Sequence, residues 1–337
     1  MKRDDVPLRP EVHLLNPMTE IGGSELHTMD MYRVLSRYTR TIIWTEREPD
    51  PQLAELVPIQ KINLPRLRFP RQGVFLFAGA YFEIGAWWRW ARPARTLLLY
   101  NIVNRKRLER TLKRLSLDGQ RSVEMIYASD NLKADAGLPG IVEDSPIDLD
   151  VYTPSSTSAR NETFVVGRAS RDDPVKFADG DPMLYERLAG AGFRVRIAGG
   201  TCLRERVAAH PRIELLPMMT PLALPRFMQG LDCFLYRTST AWPEAYGRVV
   251  AEAMACGVPP IVGSTAGIAQ HIHQGVNGFI ADSNDEVMEI LLNLKEDRAL
   301  QARIGAAARE TMESRYGEAQ LEAIANHYLR APAQAAA

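Results

Sequence analysis

One stretch of the sequence decides the fold class: Pro243-Glu-Ala-Tyr-Gly-Arg-Val-Val-Ala-Glu-Ala-Met-Ala-Cys-Gly-Val-Pro259, followed directly by Pro260-Ile-Val262. Gly257 and Pro259 end the predicted helix, because glycine adopts the left-handed conformation that often follows a helix and proline cannot continue one. The apolar residues Ile261 and Val262 then predict a short buried strand. A loop, a helix and a buried strand in this order are typical of α/β proteins.

Two carboxylates, Glu244 and Glu252, lie before and on that helix. Eight residues of helix rise about 12 Å, and eight steps of about 100° bring the two positions within about 80° of each other. Such a pair could bind hydroxyls at both ends of an elongated ligand, such as the hexose and ribose of a sugar nucleotide. The N–H groups of Ala245, Tyr246 and Gly247 could bind an anionic group at the helix start. Taken alone, the spacing favours a solvated helix face, so the surrounding motifs have to decide.

Strands and helices alternate through the C-terminal half of the chain, which predicts a parallel sheet with helices on both faces. Ligands of such sheets bind beyond the carboxyl ends of the strands. The predicted strands are 164–167, 194–198, 213–216, 233–236 and 260–262, and the predicted helices are 183–191, 203–209, 222–230 and 268–273.

The N-terminal half shows the same alternation less regularly, and residues 45–95 are Pro-rich without a clear period. A polar linker at 154–161 predicts a domain boundary. We therefore expect one domain over 1–154, a second over 162–313 and a C-terminal segment over 314–330. The predicted N-terminal strands are 12–16, 41–44, 97–100 and 123–128, and the predicted helices are 24–36 and 105–115.

The motifs together resemble those of the family 4 glycosyltransferases, which have the GT-B architecture. That family has an E-x7-E motif followed by a small-residue turn, preceded by a strand with an arginine and a lysine. The matching residues are Glu244, Glu252, Gly257 and Pro259, then 164–168 with Lys176, 197–200, 275–279, and the glycine loop 22–25. One departure is that the family commonly has Lys-Gly soon after the arginine, whereas Lys176 follows Asp173-Pro174-Val175.

The resemblance implies two Rossmann-like, doubly wound parallel-sheet domains that face each other across a deep cleft. The first would bind the acceptor, the second would bind the donor nucleotide, and the last helix would pack back toward the first. The implied activity is transfer of a sugar from a nucleotide-diphosphate donor to a glycan or lipid-linked acceptor, with retention of the anomeric configuration, in polysaccharide or glycolipid assembly. No cofactor and no metal ion are expected.

The resemblance also implies roles for individual residues. Arg168 and Lys176 would neutralise the departing phosphate, since positioned cations stabilise charge that develops in a transition state. Glu244 would bind hydroxyls of the donor sugar, and Glu252 would bind the ribose. We expect Arg168, Lys176 and Glu244 to be catalytic. The expected donor-binding residues are Gly22, Gly23, Arg168, Lys176, Gly199, Glu244, Ala245, Tyr246, Gly247 and Glu252.

Net charge is zero, but residues 60–121 hold fourteen Lys or Arg against three Asp or Glu. Tryptophans alternate with arginines in this window, a combination that favours a membrane–water interface with anionic lipid. A buried helix edge beside a solvated basic face is an equally good interpretation, and no nucleic-acid recognition module is present. The predicted membrane or acceptor face is Trp87, Trp88, Arg89, Trp90 and Arg92.

The 337 residues are enough for two domains, and the 46% hydrophobic composition is that of a globular protein. Three scattered cysteines favour a reducing compartment, and residues 1–5 lack a hydrophobic signal segment. We expect a cytoplasmic protein, with the cytoplasmic face of the membrane as a second expected location, and a disordered tail at 331–337. Two other functions fit the same architecture: a sugar-nucleotide epimerase or phosphorylase, and an inactive homologue that serves as a glycan-binding scaffold.

Overall fold

The computed structural model describes residues 9–117, 119–155, 162–242 and 244–330. The chain forms two compact units, one comprising the residues up to Pro146 together with those from Glu318 on, and the other comprising Ile147–Gly317. Most of the linker predicted at 154–161, and all of the tail predicted to be disordered at 331–337, lie outside the described residues.

The first unit contains a seven-stranded parallel sheet with strand order β3-β2-β1-β4-β5-β6-β7. Its elements are β1 (Val12–Leu15), α1 (Gly23–Ser36), β2 (Thr41–Thr45), α2 (Pro51–Leu56), β3 (Ile59–Lys61), β4 (Val74–Ala78), β5 (Arg95–Tyr100), α3 (Arg105–Leu115), β6 (Glu124–Tyr127), α4 (Asp130–Ala136) and β7 (Ile141–Val142). In β4 the sequence is Val-Phe-Leu-Phe-Ala and every residue is buried. This strand pairs directly with β1. The sequence prediction left it inside an irregular region, because a strand buried on both faces has no polar alternation to mark it.

The same region contains the tryptophans predicted to face a membrane, and for two of them the prediction is wrong. Trp87 and Trp88 are only 2% and 1% exposed. The Trp88 ring packs against Phe75 and Phe77 of β4, and its Nε1 donates to the carbonyl oxygen of Leu115 at 3.2 Å. These indoles cover a face of the sheet, and burying so large a ring there stabilises the fold more than exposing it would. By contrast, Trp90 is 57% exposed, and Arg89 and Arg92 are also exposed.

The second unit contains a six-stranded parallel sheet with strand order β10-β9-β8-β11-β12-β13. Its elements are β8 (Val165–Ala169), α5 (Asp181–Gly190), β9 (Arg194–Ala198), β10 (Ile213–Leu216), α6 (Leu224–Gln229), β11 (Cys233–Tyr236), α7 (Arg248–Ala255), β12 (Pro260–Val262), β13 (Phe279–Ile280), α8 (Asn284–Glu296) and α9 (Arg298–Tyr316). From β8 the chain winds outward through β9 and β10, and it then returns to the other side of β8 to form β11. Strand order therefore reverses between β8 and β11.

Two predicted helices of this unit are shorter than expected. Residues 203–209 contribute a 3-10 turn at Thr201–Leu203, and residues 268–273 contribute one at Gly267–His271. In the first case the 3-10 turn ends at Leu203, although Val207, four residues later, is buried as well. His210, which precedes Pro211, lies outside any helix, as expected because a proline disfavours helix in the residue before it.

The last helix, α10 (Glu318–Leu329), completes the core of the first unit. Ala325 and Tyr328 are fully buried in the cluster formed by the strands of that sheet. The guanidinium of Arg95 in β5 donates to the carbonyl oxygens of His327 and Tyr328 at 2.7 and 2.9 Å. These carbonyls end the helix and lack intrahelical partners, so Arg95 caps α10. The Tyr328 hydroxyl donates to the buried carboxyl of Glu143 at 2.5 Å.

The substitution Glu143→Gln should flatten the pH dependence of folding stability. Burial raises the pKa of Glu143 from 4.5 to about 7. Between these values the folded protein binds a proton that the unfolded chain has lost. The stability that Glu143 contributes is therefore present below pH 4.5 and is lost as the pH rises through 7. Raising a pKa by that amount corresponds to about 3 kcal/mol.

Urea unfolding at pH 5 and pH 8 measures the difference. We expect the free energy of unfolding to fall by about 3 kcal/mol more in the wild type than in Glu143→Gln over this range. Glu289→Gln, the same change at an exposed position of α8, should behave like the wild type. Parallel pH profiles for wild type and Glu143→Gln would contradict the assignment.

Candidate functional site

The polar side chains singled out in the second unit meet where its strand order reverses. Arg168 lies in β8, Tyr236 ends β11, and Glu244 follows in the segment that leads to α7. In doubly wound sheets, ligands bind beyond the carboxyl ends of the strands at this reversal point. The second unit thus presents a candidate ligand site at the place that its topology favours.

Lys176 and Glu244 form an ion pair at the centre of this site. The Lys176 Nζ lies 2.8 Å from Glu244 Oε2, and the Tyr236 hydroxyl donates to the same oxygen at 2.7 Å. Lys176 belongs to a 3-10 turn, Pro174–Lys176, that the Asp173 side chain caps by accepting from the N–H of Val175. Both charged side chains are mostly but not fully buried. Burial lowers the pKa of Lys176, and the Glu244 carboxylate opposes that effect.

Arg168 lies behind the ion pair and is only 1% exposed. Its guanidinium stacks between the rings of Phe177 and Tyr236, at 4.5 and 4.6 Å from their centroids. One of its nitrogens, Nη2, donates to the carbonyl oxygen of Lys176. The Arg168 side chain therefore holds the backbone of Lys176 through one hydrogen bond. Its two other donor nitrogens, Nε and Nη1, are buried without a hydrogen-bond partner among the described residues.

A single buried carboxylate, Asp181, stands between two buried arginines. It accepts hydrogen bonds from Arg237 Nε and Nη2 at 3.1 and 2.5 Å, and its other oxygen lies 4.0 Å from Arg168 Nη1. Asp181 is the second aspartate of Asp179-Gly180-Asp181, a sequence that resembles a D-x-D metal motif. Its role here is to pair with arginine. Within the described ranges no group of three His, Cys, Asp or Glu side chains is arranged to hold a metal ion.

Glu252 is on helix α7, as predicted, and its side chain is buried. Its role in binding the ribose stays a prediction. Its Oε1 accepts from Arg248 Nε at 2.8 Å, one helical turn earlier. The start of the helix is fixed by Gly247, whose φ of +94° is a conformation that other residues rarely adopt. Tyr246 is also buried, and its hydroxyl lies 2.7 Å from that of Tyr316. Ala245 is packed by its backbone against Gly267, where a side chain would overlap the carbonyl oxygen of Ala245.

The predicted glycines fall in two places. Gly199 follows β9 with a φ of +72°, and a Cβ there would overlap the carbonyl oxygen of Ser170. Gly199 therefore allows the loop after β9 to pack directly against the loop after β8. Gly22 and Gly23 lie in the first unit at the start of α1, where Gly22 has an extended conformation. Their role in binding phosphate stays a prediction.

Several residues of the site were missed from the sequence. Tyr236 is the last residue of a strand that was correctly predicted, and a polar tip at the carboxyl end of a strand is a usable signal. Trp242 lies two residues before Glu244, and its ring is 4.7 Å from Lys176 Nζ. Arg237 and Asp181 carry no local signal, because they are 56 positions apart in the sequence and only the fold brings them together.

Comparisons with known proteins agree with this architecture. Residues 193–311 match the sequence profile of the family described as Glycosyl transferases group 1. A D-inositol 3-phosphate glycosyltransferase of Mycolicibacterium smegmatis (strain ATCC 700084 / mc(2)155) is 26% identical over 196 residues, covering 52% of this chain and 42% of that protein. The chain thus spans less than half the length of the curated relatives it matches.

Solved structures are similar over nearly the whole chain. The Anabaena protein Alr3699/HepE, in complex with UDP-glucose, has a TM-score of 0.69 at 20% identity and covers 95% of this chain and 98% of its own. Sucrose-phosphate synthase from Thermosynechococcus elongatus has a TM-score of 0.72 at 13% identity, with coverage of 95% and 98%. At such identities the structural likeness shows the fold. Together the matches confirm the predicted fold class and the predicted resemblance to GT-B glycosyltransferases.

Replacing Asp181 by Asn should strongly destabilise the second unit. The change removes the carboxylate that faces two buried guanidinium groups, and breaking a buried ion pair costs about 3–5 kcal/mol. Chemical denaturation followed by circular dichroism measures the loss. Asp285→Asn provides a matched control, because Asp285 pairs with Arg187 at 2.8 Å on the surface, where such pairs contribute about 0–1 kcal/mol. Equal losses in the two variants would contradict the role given to Asp181.

Proposed function

We propose that this protein is a glycosyltransferase that transfers a sugar from a nucleotide-diphosphate donor, which is bound at the Lys176–Glu244 site. The observation that carries the proposal is this partly exposed ion pair, set over a buried arginine at the reversal point of a parallel sheet. A cation and a carboxylate side by side match a ligand in which an anionic phosphate is joined to a hydroxyl-rich sugar. The match of residues 193–311 to group 1 glycosyltransferases supports the same conclusion.

The chemistry assigns distinct roles to the two charges. When a donor binds, its diphosphate competes with Glu244 for the Lys176 ammonium, and Glu244 becomes available to accept hydrogen bonds from sugar hydroxyls. During transfer the bond between the anomeric carbon and the phosphate oxygen breaks, and a bond from that carbon to the acceptor oxygen forms. The acceptor proton passes to the departing phosphate. Lys176 stabilises the negative charge that grows there.

Buried Arg168 adds positive potential from behind Lys176. Its side chain is held by two aromatic rings, so it needs no reorganisation as the leaving group forms. We propose that the reaction retains the anomeric configuration and needs no metal ion. HepE is described in complex with UDP-glucose, which supports a donor of the same class here. The acceptor that we propose is a glycan or lipid-linked glycan in polysaccharide or glycolipid assembly.

We also propose that the first unit binds the surface of an anionic membrane. Helix α3 exposes five cations: Arg105, Lys106, Arg110, Lys113 and Arg114. Its C-terminal end contacts Trp88 through the carbonyl of Leu115, so exposed Arg89, Trp90 and Arg92 follow directly beside it. We call these eight residues the basic surface. An exposed indole among cations fits the headgroup region of a bilayer. No helix in the described ranges has both the length and the apolar composition needed to span a bilayer.

Glu244→Gln and Lys176→Met should each lower kcat/KM for sugar transfer by a factor of about 100 or more, because each removes a charged contact to the reacting donor. The assay follows release of nucleotide from a panel of UDP-, GDP-, ADP- and dTDP-sugars, supplied with glycan and lipid-linked acceptors. Asp285→Asn, at an exposed position, should match the wild type.

Three results would contradict the proposed activity. One is that no donor of the panel releases nucleotide with the wild type, as expected of a scaffold. Another is that a donor is converted to an isomeric sugar nucleotide without transfer, as expected of an epimerase. The third is that both variants keep full activity.

Reversing two charges on the basic surface should strongly weaken binding to anionic vesicles. Each cation near such a membrane contributes about 1 kcal/mol, so Lys113→Glu combined with Arg114→Glu should weaken binding at least about 100-fold. Co-sedimentation measures the binding. It compares pure phosphatidylcholine vesicles with vesicles that contain about 30% of the anionic lipid phosphatidylglycerol. Arg226→Glu combined with Arg303→Glu changes the net charge equally at exposed positions of the second unit and should not affect binding. Equal loss in both double variants, or no binding by the wild type, would contradict the proposal.

A further inference from the structure

A tight turn between β3 and β4 carries an exposed leucine. Asn63 and Arg68 exchange backbone hydrogen bonds of 2.8 and 2.9 Å, and the N–H of Leu67 donates to the carbonyl oxygen of Leu64 at 2.9 Å. Leu67 is nevertheless 64% exposed. We call residues 63–68 the Leu67 turn. Its backbone is held by hydrogen bonds, whereas its apolar side chain lies in solvent.

The backbone conformation of Leu67 makes a leucine at this position unfavourable. Its φ is +51°, in the left-handed region. Glycine is the default residue there, and asparagine is the usual alternative, because a larger side chain crowds the backbone. Leu67 does not compensate for this cost by packing into the core, since most of it is exposed. Residues held in unfavourable conformations cluster at functional sites, so the Leu67 side chain calls for a contact outside this unit.

The surroundings of Leu67 are cationic. Arg66, Arg68 and Arg71 are all exposed, and residues 62–73 contain no Asp or Glu. An apolar side chain flanked by cations is complementary to a surface that has anionic groups above an apolar layer. A bilayer with anionic lipid is such a surface.

The Leu67 turn is joined to the segment that carries Trp90. The buried ring of Phe69 lies 6.4 Å from the ring of Trp87. The carbonyl oxygen of Arg71 accepts from the N–H of Arg92 at 2.6 Å. Trp90 and Arg92 belong to the basic surface, so the Leu67 turn extends that surface with a second exposed apolar side chain.

The N–H groups of the turn are already satisfied, as entry into a bilayer requires. Pro65 has no N–H, and the N–H of Arg66 donates to the Asn63 side chain at 3.1 Å. The N–H groups of Leu67 and Arg68 donate within the turn. A backbone that leaves water without internal partners would oppose insertion strongly. Moving this turn out of water leaves no N–H from position 65 to 68 unpaired.

We infer that the Leu67 turn inserts into an anionic bilayer, with Leu67 among the acyl chains and its flanking arginines at the headgroups. The inference rests on the proposed function, in which the first unit binds such a membrane, and it identifies the side chain that enters the apolar layer. Peripheral segments of this kind reach about 5–10 Å into the boundary between headgroups and acyl chains. The unfavourable conformation of Leu67 is then retained because it presents an apolar group to lipid.

Co-sedimentation of the full chain with phosphatidylcholine vesicles that contain about 30% phosphatidylglycerol tests the inference. Leu67→Ser should weaken binding about tenfold, because that is the order of effect of removing one buried leucine side chain. The loss should persist at high salt, which screens the cations and not the apolar contact. Leu222→Ser, the same change at an exposed position of the second unit, should bind like the wild type.

Leu67→Gly separates membrane contact from folding. Glycine adopts a positive φ freely, so this variant should bind vesicles as weakly as Leu67→Ser while its midpoint of thermal unfolding does not fall below that of the wild type. A lower midpoint would show that the leucine side chain serves the fold, and it would overturn the inference.

The remaining outcomes distinguish this inference from the proposed function. If the wild type binds anionic vesicles and Leu67→Ser binds them within twofold, the inference is wrong and membrane binding by the basic surface stands. If Leu67→Ser instead abolishes self-association without lipid in sedimentation velocity, the turn contacts a second copy of the chain and the inference is wrong. If the wild type binds no vesicles, the inference and the proposed membrane binding fail together, whereas sugar transfer is tested separately by nucleotide release.

Discussion

The second unit depends on one electrostatic constraint: two arginine side chains are buried and share one carboxylate, Asp181. Burying a charge is costly unless it is paired and hydrogen-bonded, so the position of each partner is tightly specified. Arg237 is fixed by Asp181 and by the carbonyl of Asp282. Arg168 is fixed by aromatic rings and by the carbonyl of Lys176. The backbone of Lys176 is thus anchored from the interior, and its ammonium is directed at Glu244. The Lys176–Glu244 ion pair is therefore the outermost part of a set of contacts whose innermost member is the buried carboxylate of Asp181.

Much of the architecture could be predicted because parallel strands and their helices have simple local signals. The strands at 194–198, 213–216, 233–236 and 260–262 and the helix at 105–115 have the predicted bounds. Failures occurred where burial is complete or where a segment is short. Strand β4 has no polar alternation, so no pattern marks it. The helix predicted at 203–209 is replaced by the short 3-10 turn Thr201–Leu203, which buries Leu203. Helices α8 and α9 were also not predicted. Their apolar side chains face the core of the second unit, and only the folded sheet reveals that partner.

The site was partly predictable for the same reason. The family resemblance implied that Lys176 and Glu244 serve one donor site, and the structure places Lys176 Nζ 2.8 Å from Glu244 Oε2. Side-chain direction was not predictable. The alternation of tryptophan and arginine near Trp88 suggested a surface, yet Trp87 and Trp88 are buried, whereas Arg89 and Trp90, which follow directly, are exposed. Arg168 and Arg171 are three residues apart, and nothing in the sequence distinguishes the enclosed side chain from the half-exposed one. That distinction depends on Phe177, Tyr236 and Trp242, which come from different segments.

The capping of α10 by Arg95 has a consequence for how the chain is made. Residues 9–146 form their sheet with a helix that the ribosome synthesises about 170 residues later. Until then, Arg95 is paired only with Glu124, Glu143 lacks the Tyr328 hydroxyl, and the surface covered by Ala325 and Tyr328 is open. The entropic cost of closing a loop rises only slowly with the length of the loop. The contact with α10 is nevertheless delayed, because α10 is synthesised last. Nascent chains of this protein must therefore pass through a stage in which the first half is incomplete and exposes apolar surface, a stage at which chaperones commonly act.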